Sequence, residues 1–218
     1  MKAIGINGSP RKSWNTAILL EKALEGAAAN GVHTELIHLY DLNYKGCISC
    51  FNCKLRGGKS YGHCHVNDEL KPVLQKIEEA DVLILGSPIY FGNVSGEMRS
   101  FLERLMFQYL TYDISHSSLR KKVTPTGFIY TMNVPENRLE ELNYKHVLGS
   151  IEASLKRVFS GVEVPSLYVT DTYQFEDYSK YEVTMFNGDL KAKRRKEEFP
   201  KDCQKAFEMG TQLIQPLQ

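Results

Sequence analysis

The sequence has little excess charge and no long apolar run. It contains 27 lysines and arginines against 26 aspartates and glutamates, so its 218 residues carry a formal net charge of only +1. Nucleic acids and anionic membranes select strongly basic proteins, so this balance argues against both as main partners. No apolar run approaches the roughly 20 residues that span a bilayer, and the first residues lack the layout of a signal peptide. We therefore expect a cytoplasmic protein.

Several common nucleotide-binding and catalytic patterns are also missing. Lys12-Ser13 lacks the preceding glycines of the Walker loop, G-x-x-x-x-G-K-[ST]. Residues 5–10 read Gly-Ile-Asn-Gly-Ser-Pro, which is not the G-x-G-x-x-G fingerprint of dinucleotide-binding folds. We find no convincing Ser/His/Asp or paired-carboxylate arrangement. With the Walker loop and the dinucleotide fingerprint excluded, an anion site in this chain would suit the phosphate of a mononucleotide.

Short apolar strands alternate with amphipathic helices along the chain. We predict strands at residues 3–6, 35–39, 82–86, 127–131 and 164–169, and helices that start near residues 15, 68, 96, 136 and 200. This alternation predicts an α/β fold with a five-stranded parallel sheet covered by helices on both faces. Two strand orders are common for such sheets. We expect the order 2-1-3-4-5, in which the carboxyl ends of strands 1 and 3 open onto one crevice.

We expect a single domain over residues 1–218. It includes a cysteine-rich loop at 45–66 and a C-terminal extension and helix at 171–218. A basic run at 191–196 within that extension is predicted to be a solvated helix face or connection.

The loop after the first strand is rich in groups that bind phosphate. Ser9, Ser13, Asn15 and Thr16 are candidate hydrogen-bond donors, and Arg11 is a candidate charged donor. The helix that follows adds backbone N–H groups and the positive end of its dipole. An ordinary helix cap by Ser13 or Asn15 would need only one of these groups. We therefore favour an anion site.

The loop after the third strand, residues 86–93, is the second unusual segment. Its backbone groups could hydrogen-bond the polar edge of a flat heterocycle, while Tyr90 or Phe91 packs against the face of the ring. A plain proline-containing turn with two aromatic residues in the core would have the same sequence. This loop alone does not decide between the two.

Taken together, these motifs resemble a known family. They are Gly8-Ser9-Pro10-Arg11 with Asn15-Thr16, then Ser87-Pro88-Ile89-Tyr90, then residues 95–104, and more weakly the tail from Phe199. The chain is similar to the NAD(P)H-dependent FMN reductases of the flavodoxin-like superfamily, and more narrowly to the iron–sulfur flavoproteins and their cluster-free relatives. Where the family usually has Asp-Arg, this chain has Glu103-Arg104.

The resemblance implies a flavodoxin-like three-layer sandwich that binds FMN and uses NAD(P)H as co-substrate. The FMN phosphate would lie in the first loop and the flavin ring in the second, with the segment after the fourth strand as the far wall. The cofactor-binding residues so implied are Ser9, Arg11, Ser13, Asn15, Thr16, Pro88, Ile89, Tyr90, Phe91, Gly92, Thr131 and Asn133.

The same resemblance bears on chemistry and partners. Electrons would pass from NAD(P)H through FMN to a quinone, a free flavin, a nitroaromatic compound or a redox protein. No side chain would need to act as acid or base in the hydride step. A homodimer or homotetramer is expected. Two rival hypotheses are a flavodoxin-type electron carrier without NAD(P)H turnover, which the near-neutral charge disfavours, and a non-redox nucleotide-binding switch.

Four of the five cysteines are clustered. Cys47, Cys50, Cys53 and Cys64 supply four thiolates, the number that holds a [4Fe–4S] cluster, and the iron–sulfur flavoproteins carry a compact motif of this kind at this place. A zinc site that also draws on His63 and His65 and free or redox-active thiols remain open as alternatives. Cys203 stands apart and is predicted to be a small buried apolar residue.

Overall fold

A twisted sheet with parallel main strands forms the centre of the protein. The computed structural model describes residues 1–115, 117–161 and 163–215. The strands are β1 (Lys2–Asn7), β2 (His33–His38), β3 (Val82–Tyr90), β4 (Asn93–Val94), β5 (Thr126–Thr131) and β6 (Ser166–Val169). The parallel strands follow the order β2-β1-β3-β5-β6, which is the predicted 2-1-3-4-5 order when β4 is left out. The predicted α/β fold is confirmed.

The short strand β4 is an addition to the predicted sheet. It pairs antiparallel with the end of β3, so the described sheet has six strands rather than five. Between the two strands, Phe91 and Gly92 have φ angles of 49° and 80°. Two consecutive residues with positive φ form the tight turn whose twist suits a two-residue hairpin. This turn sends the chain back along β3.

Helices cover both faces of the sheet. They are α1 (Asn15–Ala28), α2 (Leu70–Glu79), α3 (Gly96–Phe107), α4 (Tyr144–Leu155), α5 (Gly188–Glu197) and α6 (Phe199–Gln212). Successive residues of β3 point to opposite faces: Leu83 and Leu85 belong to the core beneath α2, α3 and α4, whereas Ile84 belongs to the core beneath α1 and α6.

Helices α1 and α6 pack in backbone contact. A Cβ atom added to Gly26 would lie 2.0 Å from the carbonyl oxygen of Phe207, and one added to Gly210 would lie 1.8 Å from that of Ala23. Only glycine permits this approach. The contact fixes the C-terminal helix, and with it the preceding α5, beside α1.

One predicted helix boundary was wrong. The helix expected from about residue 136 begins at Tyr144, because residues 136–138 form a single 3-10 turn and Asn143 has a left-handed φ of 57°. The C-terminal extension contains α5 as well as α6, and residues 216–218 of that predicted extension lie outside the described residues. Among the described residues, no helix is both long and apolar enough to cross a membrane.

Candidate functional site

The two unusual loops meet at the carboxyl ends of β1 and β3. The backbone N–H of Gly8 donates to the carbonyl oxygen of Gly86 at 2.8 Å. The Ser95 hydroxyl donates to the carbonyl oxygen of Gly8 at 2.6 Å, and the Ser95 N–H donates to the Ser87 hydroxyl at 3.0 Å. The first loop and the β3–β4 hairpin therefore form one continuous rim around the crevice, as the strand order predicts.

The amino terminus of α1 lacks a side-chain cap. Trp14 occupies the capping position and neither Ser13 nor Asn15 caps the helix. Within the described residues, the backbone N–H groups of Asn15, Thr16 and Ala17 have no hydrogen-bond acceptor, and the first turn contains no acidic residue. The simple capping interpretation was therefore wrong. The unpartnered N–H groups and the helix dipole make this end suited to an anion.

Two arginines lie beside Trp14. The guanidinium carbon of Arg11 is 4.0 Å from the centre of the indole ring, and that of Arg195 is 5.8 Å away. Arg195 also donates from Nη1 to the side-chain oxygen of Asn15 at 2.7 Å. Burial lowers the pKa of Arg195, although a guanidinium remains charged at neutral pH. Neither arginine has a carboxylate partner in the described chain, so the local charge is positive.

A C-terminal segment lies against this loop. The Tyr173 carbonyl oxygen accepts hydrogen bonds from Trp14 Nε1 at 3.1 Å and from Asn15 Nδ2 at 2.9 Å. The Gln174 carbonyl oxygen accepts from Arg11 Nη1 at 2.7 Å. Ser9 is turned inward, and its hydroxyl accepts from the Arg11 N–H at 3.1 Å. Two of the predicted phosphate donors, Arg11 and Asn15, thus donate to backbone oxygens of residues 173 and 174 in this structure.

The segment after β5 reaches the same place. The hydroxyls of Thr16 and Thr131 are 2.7 Å apart and buried, which joins the first turn of α1 to the end of β5. Asn133 receives a hydrogen bond of 2.6 Å from Lys191, whose ammonium also pairs with Asp171. The structure therefore brings Thr16, from the first loop, and Thr131, at the end of β5, to one side of the crevice.

The predicted loop at residues 86–93 is mostly strand. β3 continues through Tyr90, and Pro88 lies in register with Thr131 of β5. Tyr90 is 46% exposed and Phe91 is fully exposed at the hairpin tip. The alternative of two core aromatic residues was therefore wrong. Pro88, Ile89 and Gly92 lie along the hairpin next to the first loop.

Sequence reasoning missed the residues that α5 contributes. Lys191, Arg194 and Arg195 have the i, i+3, i+4 spacing of one helix face. Lys191 is 2% exposed, and Arg194 forms a 2.8 Å ion pair with Asp202. The interpretation of the basic run as a solvated face was wrong for these three residues, because the packing of α6 on α1 turns this side of α5 inward. The spacing of the three cations was the signal.

The four clustered cysteines surround one small cavity. Cys47, Cys50, Cys53 and Cys64 line it, with His65 at its edge. All four are free thiols. Burial raises the pKa of Cys53, whereas a hydrogen bond from the Asn52 backbone lowers that of Cys50. Within the described chain, no group of three or more metal-binding side chains is close enough to hold an ion.

Arg104 connects the two ends of this cysteine loop. It is buried, and its Nε donates to the Cys64 sulfur at 3.3 Å. Its Nη1 and Nη2 each donate to one carboxylate oxygen of Asp68, with 3.0 Å between Nη2 and Oδ1. Nη1 also lies 3.3 Å from the carbonyl oxygen of Lys45. His63 instead pairs with Glu78 at 3.2 Å. Arg104 thus ties the segment before Cys47 to the segment around Cys64.

The fold and the site define a flavodoxin-like protein whose loop after β1 lies at the β1–β3 switch point. The model of the NADPH-dependent FMN reductase family matches residues 1–132. The chain belongs to this family, whose members bind FMN and act as oxidoreductases, as the sequence motifs indicated.

Named relatives agree with this assignment. An iron–sulfur flavoprotein of Methanocaldococcus jannaschii is 43% identical over 104 residues, which cover 48% of this chain and 51% of that protein. One from Archaeoglobus fulgidus is 40% identical over 104 residues, 48% of each chain. The match spans about half the length of these curated relatives.

Similarity in structure extends over nearly the whole chain. An NAD(P)H:quinone oxidoreductase from Methanothermobacter marburgensis superposes with a TM-score of 0.65 at 16% identity, covering 98% of this chain and 96% of that one. At such identity the likeness concerns the fold alone.

Proposed function

We propose that this protein passes electrons from NADH or NADPH through bound FMN to a quinone, a free flavin or another small acceptor. The observation that carries the proposal is the uncapped start of α1 between Arg11 and Arg195. Three free backbone N–H groups and two cations without carboxylate partners suit the dianionic phosphate of FMN.

The remaining predicted residues would hold the flavin ring. FMN supplies the hydride and electron chemistry when bound. In this proposal, Pro88 to Gly92 lie along one edge of the ring, and Thr131 and Asn133 form the opposite wall. The Lys191 contact with Asn133 would hold that wall in place. The exposed ring of Phe91 would limit access of water and acceptor to one face.

The test separates binding from turnover. FMN and riboflavin are titrated against the purified protein and flavin fluorescence is followed, because a phosphate site should favour FMN strongly. Anaerobic oxidation of NADH and NADPH is then measured with a quinone as acceptor. Tight FMN binding without oxidation of NADH or NADPH would contradict the reductase proposal and favour the electron-carrier alternative.

The cysteine loop favours a second function, that of a cluster-bearing flavoprotein that relays single electrons. Its supporting observation is that all four cysteines line one cavity, with Arg104 bonded to Cys64 beside it. Within the described residues no three metal-binding side chains are close enough to hold an ion, so cluster assembly would have to draw the cysteines together. A [4Fe–4S] cluster there would be held by Cys47, Cys50, Cys53 and Cys64, whereas zinc and free thiols are the alternatives.

Metal analysis decides among the three. After anaerobic reconstitution we expect about four irons and as many acid-labile sulfides per chain. Cys50→Ser should abolish incorporation, whereas the matched control Cys203→Ser, outside the loop, should retain it. Zinc in place of iron, or no metal in the unsubstituted protein, would contradict the cluster.

A further inference from the structure

Arg120 is a buried arginine without a carboxylate partner in the described residues. It lies between α3 and β5 and is 9% exposed. Its Nη2 donates to the carbonyl oxygens of Ile77 and Glu78 at 3.2 and 3.3 Å and to the Thr124 hydroxyl at 2.6 Å. Its Nε and Nη1 are buried and have no hydrogen-bond partner. One side of the guanidinium is therefore satisfied and the other is not.

Aromatic rings hold this guanidinium but do not neutralise it. Its central carbon lies 4.8 Å from the centre of the Phe159 ring and 5.5 Å from that of Tyr109. These contacts offset part of the lost hydration, yet a ring face does not replace an in-plane acceptor. Burying a cation with unsatisfied donors is costly, so an anion bound close by would offset part of that cost through its charge.

A cavity of about 490 Å³ adjoins Arg120 and is also lined by Lys121, Lys122, Tyr61 and Glu78. We call it the Arg120 cavity. Some of its charges are already paired. Lys122 contacts Asp81 at 2.8 Å. Glu78 lies 3.2 Å from His63, which neutralises its carboxylate only when the imidazole is protonated.

Two cations of the Arg120 cavity have no ion pair in the described chain, and they stand against the Glu78 carboxylate in its lining. Within the described residues, Lys121 forms no ion pair, and Arg120 has none either. The lining therefore retains a positive excess.

The Arg120 cavity is separate from the flavin crevice. Asp81 precedes β3 and Lys122 precedes β5, and the Asp81 N–H bonds to the carbonyl oxygen of Lys2 at the start of β1. These are the amino ends of parallel strands, whereas the FMN loops lie at their carboxyl ends. A ligand in the Arg120 cavity would thus bind at the opposite edge of the sheet.

We propose that the Arg120 cavity is a second anion site that binds a phosphate group, most favourably that of a small phosphorylated metabolite. Arg120 and Lys121 provide the charge that phosphate requires. The volume falls within the usual range of small-molecule pockets and exceeds what a lone phosphate ion fills. The ring of Tyr61 and the side chain of Leu119 offer apolar surface for the organic part. This proposal does not depend on the proposed function.

The experiment measures binding of AMP, inorganic phosphate and adenosine by calorimetry. FMN is present at one equivalent per chain throughout, so that the loop at α1 is occupied while no excess FMN competes for the Arg120 cavity. We expect AMP to bind at millimolar concentration or below and adenosine not to bind. Lys121→Gln should weaken AMP roughly tenfold, because a charge-assisted contact is lost, whereas Lys145→Gln on α4 should leave the affinity unchanged.

The outcomes distinguish the sources of the phosphate. Tighter binding of AMP than of inorganic phosphate supports an organic phosphate, and equal affinities support inorganic phosphate as the ligand. If circular dichroism shows that the Arg120→Met variant folds, this variant should not bind AMP. If the variant does not fold, Lys121→Gln tests the site, because Lys121 is exposed. Binding of adenosine as tight as AMP, no binding of either phosphate, or an affinity unaffected by Lys121→Gln would overturn the proposal.

Discussion

Arg195 donates a hydrogen bond of 2.7 Å to the side-chain oxygen of Asn15, 180 positions earlier in the chain. This contact joins the helix α5 to the first turn of α1 and brings a second cation to the loop that already contains Arg11. The guanidinium carbon of Arg195 also lies over the Phe199 ring, 3.8 Å from its centre. The C-terminal part of the protein therefore contributes a cation to the loop after β1.

Replacing Arg195 should reduce affinity for FMN much more than affinity for riboflavin. Arg195→Met removes a cation near the proposed phosphate position while keeping an apolar side chain over Phe199. A charge-assisted hydrogen bond contributes about 1.5–3 kcal/mol, so we expect roughly tenfold or greater weakening for FMN. Flavin fluorescence titration with both ligands measures the difference.

Lys193 provides the control for this experiment, since it lies on the same helix with a 67% exposed side chain. Lys193→Met should leave both affinities unchanged. Equal losses of FMN and riboflavin affinity in Arg195→Met would mean that Arg195 supports the fold of the loop and does not contact the phosphate.

The hydrogen bond between Thr16 and Thr131 should be visible in a double-mutant cycle. Each single change to valine leaves the other buried hydroxyl without its partner, which costs about 1–3 kcal/mol of unfolding free energy. The double variant Thr16→Val with Thr131→Val should lose less than the sum of the two. Urea unfolding of the FMN-free protein measures all four corners, and strict additivity would argue against the bond.

Removing the Arg104 side chain should destabilise the protein strongly. Arg104→Met leaves Asp68 without its buried partner, and breaking such a pair costs about 3–5 kcal/mol. Arg99→Met one turn earlier is the control. Its side chain is 55% exposed with a 3.5 Å contact to Glu103, and surface changes of this kind stay within about 0.5 kcal/mol. Comparable unfolding midpoints for the two variants would contradict the assigned role.

Two glycine substitutions should have opposite effects on stability. Gly210→Ala forces a methyl group into the backbone of α1, because its Cβ would lie 1.8 Å from the Ala23 oxygen. We expect a loss of about 1–3 kcal/mol or more. Gly149 lies inside α4 with open space around it, so Gly149→Ala should add about 0.5–1 kcal/mol. Thermal unfolding of both variants checks the signs, and a stable Gly210→Ala protein would refute the close helix contact.

Local pattern was enough to predict the parallel sheet and the position of the loop after β1, and the family resemblance added the strand order. Strands such as 82–86 are continuous apolar runs, because both of their faces are buried, and such runs are readable without tertiary information. The motif around Ser9 to Thr16 likewise depends on neighbours in sequence, since a helix amino terminus and its adjoining polar groups are local. The family assignment from these motifs is confirmed.

Only the tertiary structure decided which distant groups join the site. The hairpin at Phe91 and Gly92 depends on left-handed backbone angles at both residues. Phenylalanine is not among the residues that usually adopt such angles in two-residue turns, so the sequence does not predict this hairpin. Arg195 and Lys191 look like members of a solvated basic run until Gly26 and Gly210 let α6 pack against α1 and turn that helix face inward. Long-range packing sets which side of an amphipathic segment is buried, so the sequence determined the loop and the tertiary structure supplied its second arginine.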